Sequence, residues 1–429
     1  MKLRELLFWS LRFNCSSLTE CSKNSIVTTN SSGILEIQGG LYYRYDKEAG
    51  VPSSTKIDFI YLSEQDMIKA GVDDMPACVD AMDEMFKLLH IGDYRMPGAN
   101  NNSHGAMIQF PESSPHPTMP KQTADRRLMA MPAYLGGNFG TSGCKWYGSN
   151  IANREKGLPR SILMFTLTDT DTGAPLAFMS ANLLSAYRTG AVPGVGAKYL
   201  AKKDSRVAAI FGPGVMGKTT LAAFIAACPK IDTLRIKGRS EKSLRLFIDW
   251  VKEHYPQITE IITVNSEEEM CEGADVIGYC SSGPEGDPST YPMVKRKWLK
   301  PGAFIADPAL MNFGEDMEDK SVRKVLDNYG LYEAWYEEVP KPTHNIIPLI
   351  GMKFMDMIHE GKMSRDELED LTEICGGAAP GRQNDEEIIM LSVGGMPVED
   401  VAWGTYVYRN AIERGIGVKL NLWDEPVLK

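Results

Sequence analysis

Residues 206–217 read Arg-Val-Ala-Ala-Ile-Phe-Gly-Pro-Gly-Val-Met-Gly. The triplet Gly212, Gly214, Gly217 ends a short apolar run, Val207 to Phe211, and opens a helix-forming stretch, Val215 to Cys228. Strand, tight glycine turn and helix form the context in which G-x-G-x-x-G binds a dinucleotide. Gly212 allows the turn, Gly214 lets the backbone approach a pyrophosphate, and Gly217 lets the helix pack on the strand. The helix N-terminus, with Val215 and Met216, offers free N–H groups to the phosphates. An NAD site places an acid about 20 residues beyond the glycines, to hold the ribose 2′-OH. Here that place is Lys237, followed by Gly238, Arg239 and Ser240. Lys237, Arg239 and Ser240 could hold a 2′-phosphate by charge-assisted hydrogen bonds. The sequence therefore favours NADP(H), with NAD(H) held by backbone contacts as the alternative. Ser281, Ser392 and Gly394 complete the candidate cofactor set.

Three charged residues stand in apolar or glycine-rich surroundings: Lys145 in Gly-Cys-Lys-Trp-Tyr-Gly, Arg188 in Ser-Ala-Tyr-Arg-Thr-Gly, and Asp307 after Ala-Phe-Ile-Ala. Asp307 ends an expected strand, and ligands of open α/β sheets sit beyond such strand ends. Each also has a plain reading: a solvated loop lysine, a helix-surface arginine, and a turn former before Pro308.

The elements that must position these residues follow from periodicity. Before the glycine loop, strands are expected at Asp58–Leu62, Arg127–Leu135, Ile162–Leu167 and Pro175–Met179. Helices are expected at Met75–His90, on an apolar stripe, and at Asn182–Leu200, kinked by Pro193. Ser63 reads as a helix N-cap. After the loop, helix and strand alternate: a helix at Ser243–Glu253, then strands at Glu260–Val264, Ala274–Cys280 and Gly302–Ala306. This is the rhythm of a doubly wound sheet. Ser364 and Glu367 suggest a capping box opening a helix to Leu371, and Glu399–Glu413 a last long helix. Residues 1–55, rich in Ser, Thr and Asn, form an appendage without assigned chemistry.

The 429-residue chain has room for two or three domains. Its formal net charge of −10 argues against nucleic acid or an anionic membrane as partner. Eight cysteines without a C-x-x-C pair suggest reduced thiols and a cytoplasmic location. Six scattered histidines give no metal-binding spacing. No apolar run is long enough to span a membrane. The opening apolar stretch, Leu6 to Leu11, is too short for a signal peptide.

The chain resembles the ornithine cyclodeaminase/mu-crystallin family from about residue 57 to 422. The matching stretches are Met131-Pro132, Lys145, Asp171-Thr-Gly173 through Ala177, Arg188-Thr-Gly-Ala191, the Gly212 loop, Gly273-Ala-Asp275, Lys300-Pro-Gly302 with Asp307, and Ser392-Val-Gly394 with Asp400. The resemblance implies an α/β protein in which a Rossmann-type doubly wound sheet, residues 187–396, is inserted into a second α/β domain. That second domain, residues 56–186 plus 397–429, would bind substrate and dimerise.

The resemblance also implies chemistry at the C–N bond of an α-amino acid or its imine. Arg188 would hold the substrate carboxylate. Lys145, desolvated by Trp146 and Tyr147, would contact the carboxylate or polarise the nitrogen. Asp307 would move protons at the amine. The partners are then a small amino or imino acid and a second copy of the chain. An NAD(P)-dependent oxidoreductase is the leading expectation. The alternatives are a cyclodeaminase, in which bound NAD is recycled, and a non-catalytic NADPH-dependent binding protein.

One family feature is missing. Where a P-x-R motif supplies a second carboxylate-binding arginine, this chain has Pro97-Gly-Ala99. Arg95 and His104 are the candidates to reach the same space. The polar loop 98–105 is either part of a changed pocket or a flexible surface loop.

Overall fold

Alternating burial marks the first sheet, and continuous burial marks the second. In the computed structural model, which describes residues 28–29, 35–36, 55–123, 125–281 and 287–428, two eight-stranded sheets organise the chain. The elements of the first sheet and its helices are β1 (Ile57–Leu62), α1 (Glu64–Lys69), α2 (Met75–His90), β2 (Tyr94–Arg95), β3 (Ala106–Gln109), β4 (Arg127–Leu135), β5 (Thr141–Ser149), β6 (Ser161–Asp169) and β7 (Pro175–Ser180). The α3 helix (Asn182–Leu200) leads into the second sheet and runs through Pro193.

The second sheet and its helices comprise β8 (Val207–Phe211), α4 (Val215–Ala227), β9 (Thr233–Lys237), α5 (Glu241–His254), β10 (Glu260–Thr263), α6 (Glu267–Cys271), β11 (Val276–Tyr279), β12 (Phe304–Asp307), β13 (Val322–Leu326), α7 (Tyr329–Glu338), α8 (Ile350–His359), β14 (Leu368–Asp370), α9 (Leu371–Cys375) and β15 (Ile388–Ser392). The α10 helix (Pro397–Glu413) and β16 (Val418–Trp423) complete the chain.

The second sheet is parallel, in the order β10-β9-β8-β11-β12-β15-β13-β14. Strand order reverses between β8 and β11, the crevice where doubly wound sheets bind ligands. β11, β12 and β15 are buried throughout, as strands covered by helices on both faces must be. The first sheet runs β16-β1-β7-β6-β5-β4-β2, with β3 also paired to β4. It is antiparallel except for β1 beside β7. β16 brings the end of the chain back to β1, so the first sheet is built from both sides of the parallel one. Residues Ser54–Lys429 make one compact unit. Met1–Ser53 make another, of which only Thr28–Thr29, paired antiparallel with Leu35–Glu36, are described. The rest of the expected appendage, with Cys15 and Cys21, lies outside the described residues.

Most expected elements appear within a few residues of their expected bounds, and two regions differ. Lys145, whose plain reading is a solvated loop lysine, lies at the middle of β5. The glycines at 143 and 148 interrupt the strand pattern there. The segment after Ser364 keeps its capping box, yet only Arg365–Glu367 are helical, as a 3-10 turn. The chain then pairs with β13 as β14 before α9 begins. No helix among the described residues is long and apolar enough to cross a membrane.

Candidate functional site

The three glycines differ in what surrounds them. Gly212 has φ 104°, and a Cβ there would sit 2.8 Å from the Ser281 nitrogen. Its own N–H donates to the Lys237 carbonyl at 2.9 Å, tying the loop to the end of β9. A Cβ on Gly217 would lie 2.2 Å from the Gly212 carbonyl oxygen. Gly214 has open space within 4 Å and precedes α4 with no side-chain cap. The helix thus presents bare N–H groups and an open approach, with Val215 exposed and Met216 beside it. These residues fit the pyrophosphate of a dinucleotide.

At the end of β9, Lys237 lies over the Phe211 ring at 4.6 Å and 4.0 Å from Glu267. Gly238 packs on Pro213 of the glycine loop, so exposed Arg239 and Ser240 follow directly beside it. Ser240 caps α5, accepting the Ser243 N–H at 3.2 Å.

The second group forms around α3. Ser185 and Arg188, three residues apart, share a helix face. Gly190, just beyond, lets α3 close on α4: a Cβ there would meet Thr219 at 2.3 Å. From β5, the Lys145 ammonium reaches Asp400 Oδ2 at 2.8 Å and the Ser185 hydroxyl at 3.2 Å. Arg188 donates Nε to Asp400 Oδ1 at 3.0 Å and Nη1 to Glu399 Oε2 at 2.6 Å. All four charged side chains are nearly inaccessible to solvent. Asp400 therefore holds both cations, and two carboxylates balance them. Burial, with the nearby Arg188 charge, lowers the Lys145 pKa to about 8. Burial raises that of Glu399, against the pull of Arg188. The Tyr147 ring lies 5.8 Å from Lys145 Nζ, whereas Trp146 faces the other way and is 40% exposed. Tyr147, and not Trp146, joins the desolvation of this lysine.

Gly395 makes room for Arg188, since a Cβ there would meet Nη1 at 2.8 Å. Its position is fixed by Asp327, whose carboxylate accepts the N–H groups of Gly394 at 2.7 Å and Gly395 at 3.2 Å. Burial and the Glu399 charge raise the Asp327 pKa to about 7.

Several expected site residues are not brought to this cluster. Asp307 is fully buried, and its Oδ2 accepts the Ile350 N–H at 2.8 Å. Ser392, its neighbour across the sheet, accepts the Gly351 N–H at 3.0 Å. The two side chains together cap α8, where a helix needs partners for its first N–H groups. Burial pushes the Asp307 carboxyl well above its ordinary range, and among the described residues its Oδ1 has no hydrogen-bond partner. Gly394 packs against Leu331 and Trp335, with its N–H turned to Asp327. Arg95 is exposed and spends its guanidinium on the carbonyls of Gly92 and Tyr94. It does not replace the missing arginine.

His104 does approach the cluster. Its ring packs 5.2 Å from Trp335, and burial plus the charges of Lys145, Arg188 and Arg127 hold it neutral. The loop that carries it is pinned to α7. Asn100 donates to the Gly330 carbonyl at 2.8 Å, Asn102 accepts from Asn328 at 2.9 Å, and Ser103 donates to Glu338 at 2.8 Å. Loop 98–105 is thus a clasp between the two sheets.

Glu399, Asp327 and Ser185 were not among the expected site residues. Adjacent acids in the first turn of a helix suit its dipole and attract no further notice. The signal available was their setting: Pro397-Val-Glu-Asp-Val-Ala-Trp403 places two acids inside an apolar run.

Comparisons with known proteins extend this picture. The sequence profile of the ornithine cyclodeaminase/mu-crystallin family matches residues 72–415. The N-((2S)-2-amino-2-carboxyethyl)-L-glutamate dehydrogenase of Staphylococcus aureus is 29% identical over 368 residues, 85% of this chain and 99% of that protein. The alanine dehydrogenase of Archaeoglobus fulgidus is 26% identical over 350 residues, 81% of this chain and 94% of that one. Among solved structures, the Thermococcus litoralis Delta(1)-pyrroline-2-carboxylate reductase, in complex with NADH and L-proline, superposes with a TM-score of 0.66. Its identity is 25%, and the match covers 84% of this chain and 99% of that one.

Proposed function

Because the chain belongs to the ornithine cyclodeaminase/mu-crystallin family, we propose that it is an NAD(P)-dependent oxidoreductase acting at the C–N bond of an α-amino acid or its imine. The observation that carries this reading is the buried group in which Asp400 holds both Lys145 and Arg188. Arg188 stands on α3, which packs against α4, the helix that follows the glycine turn.

The bound cofactor supplies the hydride acceptor for amine oxidation, or the donor for imine reduction. The protein's own residues do the rest. Arg188 uses Nε and Nη1 on Asp400 and Glu399. Among the described residues Nη2 has no hydrogen bond, and in this reading it takes the substrate carboxylate. Oxidation at Cα needs the nitrogen lone pair, so the substrate ammonium must first lose a proton. Lys145, titrating at about 8, takes that proton in its neutral form. In reduction, its ammonium returns a proton to the nitrogen. Asp400 and Ser185 fix the direction of Nζ. Asp307 has a positioning role through α8 in this reading.

The division into residues 56–186 plus 397–429 and residues 187–396 is our reading of the two sheets. We place the dimer contact on the outer face of the first sheet, where Trp146 is 40% and Ile162 45% exposed. The double variant Trp146→Arg/Ile162→Arg is expected to sediment as a monomer. A dimer of unchanged affinity would remove that face from consideration. The cytoplasmic reading is supported by six free cysteines among the described residues.

NADP(H) is favoured over NAD(H) by Lys237, Arg239 and Ser240 beside the glycine loop. Arg239→Ala should raise the KM for NADPH about tenfold, the worth of one charge-assisted contact. The KM for NADH should stay within twofold. Equal effects on both cofactors would assign NAD.

The function itself is tested by mixing purified protein with reduced nicotinamide, 2-oxo acids and an amine. Absorbance of the reduced cofactor should fall in proportion to amine product. Conversion of ornithine to proline with no net absorbance change would instead make the protein a cyclodeaminase.

A further inference from the structure

Lys145 belongs to a longer row of side chains. In the register of β4 and β5, Met131 faces Lys145, Met129 faces Tyr147 and Arg127 faces Ser149. These positions alternate along each strand, so they share one face of the sheet. Met129, Met131 and Tyr147, with Leu163, form an apolar cluster separate from the main core. At one end of that cluster is Lys145. At the other is Arg127.

Tyr147 measures the spacing. Its ring centroid is 5.8 Å from Lys145 Nζ and 5.9 Å from the Arg127 guanidinium carbon. The two cations are therefore no more than about 12 Å apart. The Tyr147 hydroxyl also lies 3.5 Å from Arg127 Nε.

The two ends differ in charge balance. Around Lys145, two cations face two carboxylates. Around Arg127, one carboxylate, Asp125, is shared by Arg127, Arg160 and the Ser149 hydroxyl. One positive charge is left over. Asp125 is held with φ 60°, a left-handed conformation unusual outside glycine. Burial first, then the positive charges of Lys145, Arg188 and Arg127, lower the pKa of the His104 ring.

We propose that Arg127 is a second anion station of this site, and that the substrate is an amino or imino acid with a distal carboxylate on a short methylene arm, of glutamate length. The α-carboxylate meets Arg188, and the nitrogen meets Lys145. The arm crosses Met129, Met131 and Tyr147. The distal carboxylate meets Arg127. Each carboxylate carbon stands roughly 3.5 Å from its cation, given N–O contacts of about 2.8 Å. The 12 Å ceiling leaves at most about 5 Å between the two carbons, so an extended five-carbon dicarboxylate is the longest that fits. The inference rests on the proposed imine chemistry and adds the substrate class.

The test compares 2-oxoglutarate with 2-oxobutyrate, each with an amine and reduced nicotinamide, in the native chain, Arg127→Leu and Arg127→Lys. The native chain should prefer 2-oxoglutarate by about tenfold or more in kcat/KM, the effect of one charge-assisted contact. The preference should vanish in Arg127→Leu, chiefly through KM, and persist in part in Arg127→Lys. Equal use of both oxo acids, or a preference that survives Arg127→Leu, overturns the second station and leaves imine reduction standing. If neither oxo acid turns over, the proposed activity fails, and a binding measurement decides the station. Glutarate should then raise the melting temperature of the cofactor-loaded chain more than butyrate, and Arg127→Leu should remove the difference. Equal shifts overturn the station.

Discussion

Replacing Lys145 by methionine is expected to lower kcat by about a thousandfold, the scale of a lost proton-transfer group, while cofactor affinity stays within twofold. Methionine fills nearly the same volume without the ammonium. Asp400 keeps Arg188 Nε at 3.0 Å, so its charge is not stranded. The pH profile makes the result specific to proton transfer. Lys145 titrates at about 8, lowered by burial and Arg188. Amine oxidation needs its neutral form, so kcat should rise as pH passes through 8. Imine reduction needs the ammonium, so kcat should fall through the same range. Both limbs should be absent in Lys145→Met. A variant within threefold of native kcat, or one that keeps the limb, would remove Lys145 from the chemistry.

Substituting valine at Gly212 should cost at least a hundredfold in dinucleotide affinity and about 2 kcal/mol or more of stability. The residue sits at φ 104°, where a β-branched side chain is strained. Its Cβ would lie 2.8 Å from the Ser281 nitrogen and 2.9 Å from the Cys280 carbonyl. Those are backbone atoms after β11, so the crevice between β8 and β11 must open. Gly214→Ala is the matched control. Its Cβ meets nothing within 4 Å, and the melting temperature should hold. Only the ligand's approach is crowded there. Cofactor titration and thermal melting of both variants read the difference. Gly212→Val with native affinity would show that the dinucleotide binds elsewhere.

The glycine turn and the strand and helix around it were legible because their signals are local. So were Ser63 as a helix N-cap and the apolar stripe of Met75–His90. Asp307 and Ser392 show where local reading stops. Both stand at strand ends, where ligands are expected. Their partners, Ile350 and Gly351, lie 43 and 41 residues away in the chain. Only the folded sheet reveals that they cap one helix. The pairing of Arg188 with Glu399 and Asp400 spans more than 200 residues and left no mark beyond two acids in an apolar run. The lysine strand was hidden by its own glycines, although Thr141, Gly143, Lys145, Tyr147 and Ser149 alternate inward as a strand requires.

Loop 98–105, fastened to α7 by Asn100, Asn102, Ser103 and the ring of His104, has a kinetic consequence. No one of these contacts can release the seam while the others hold. Its amides should therefore exchange with solvent in a single cooperative opening, not by fraying residue by residue. A molecule that crossed the seam would wait on that same event.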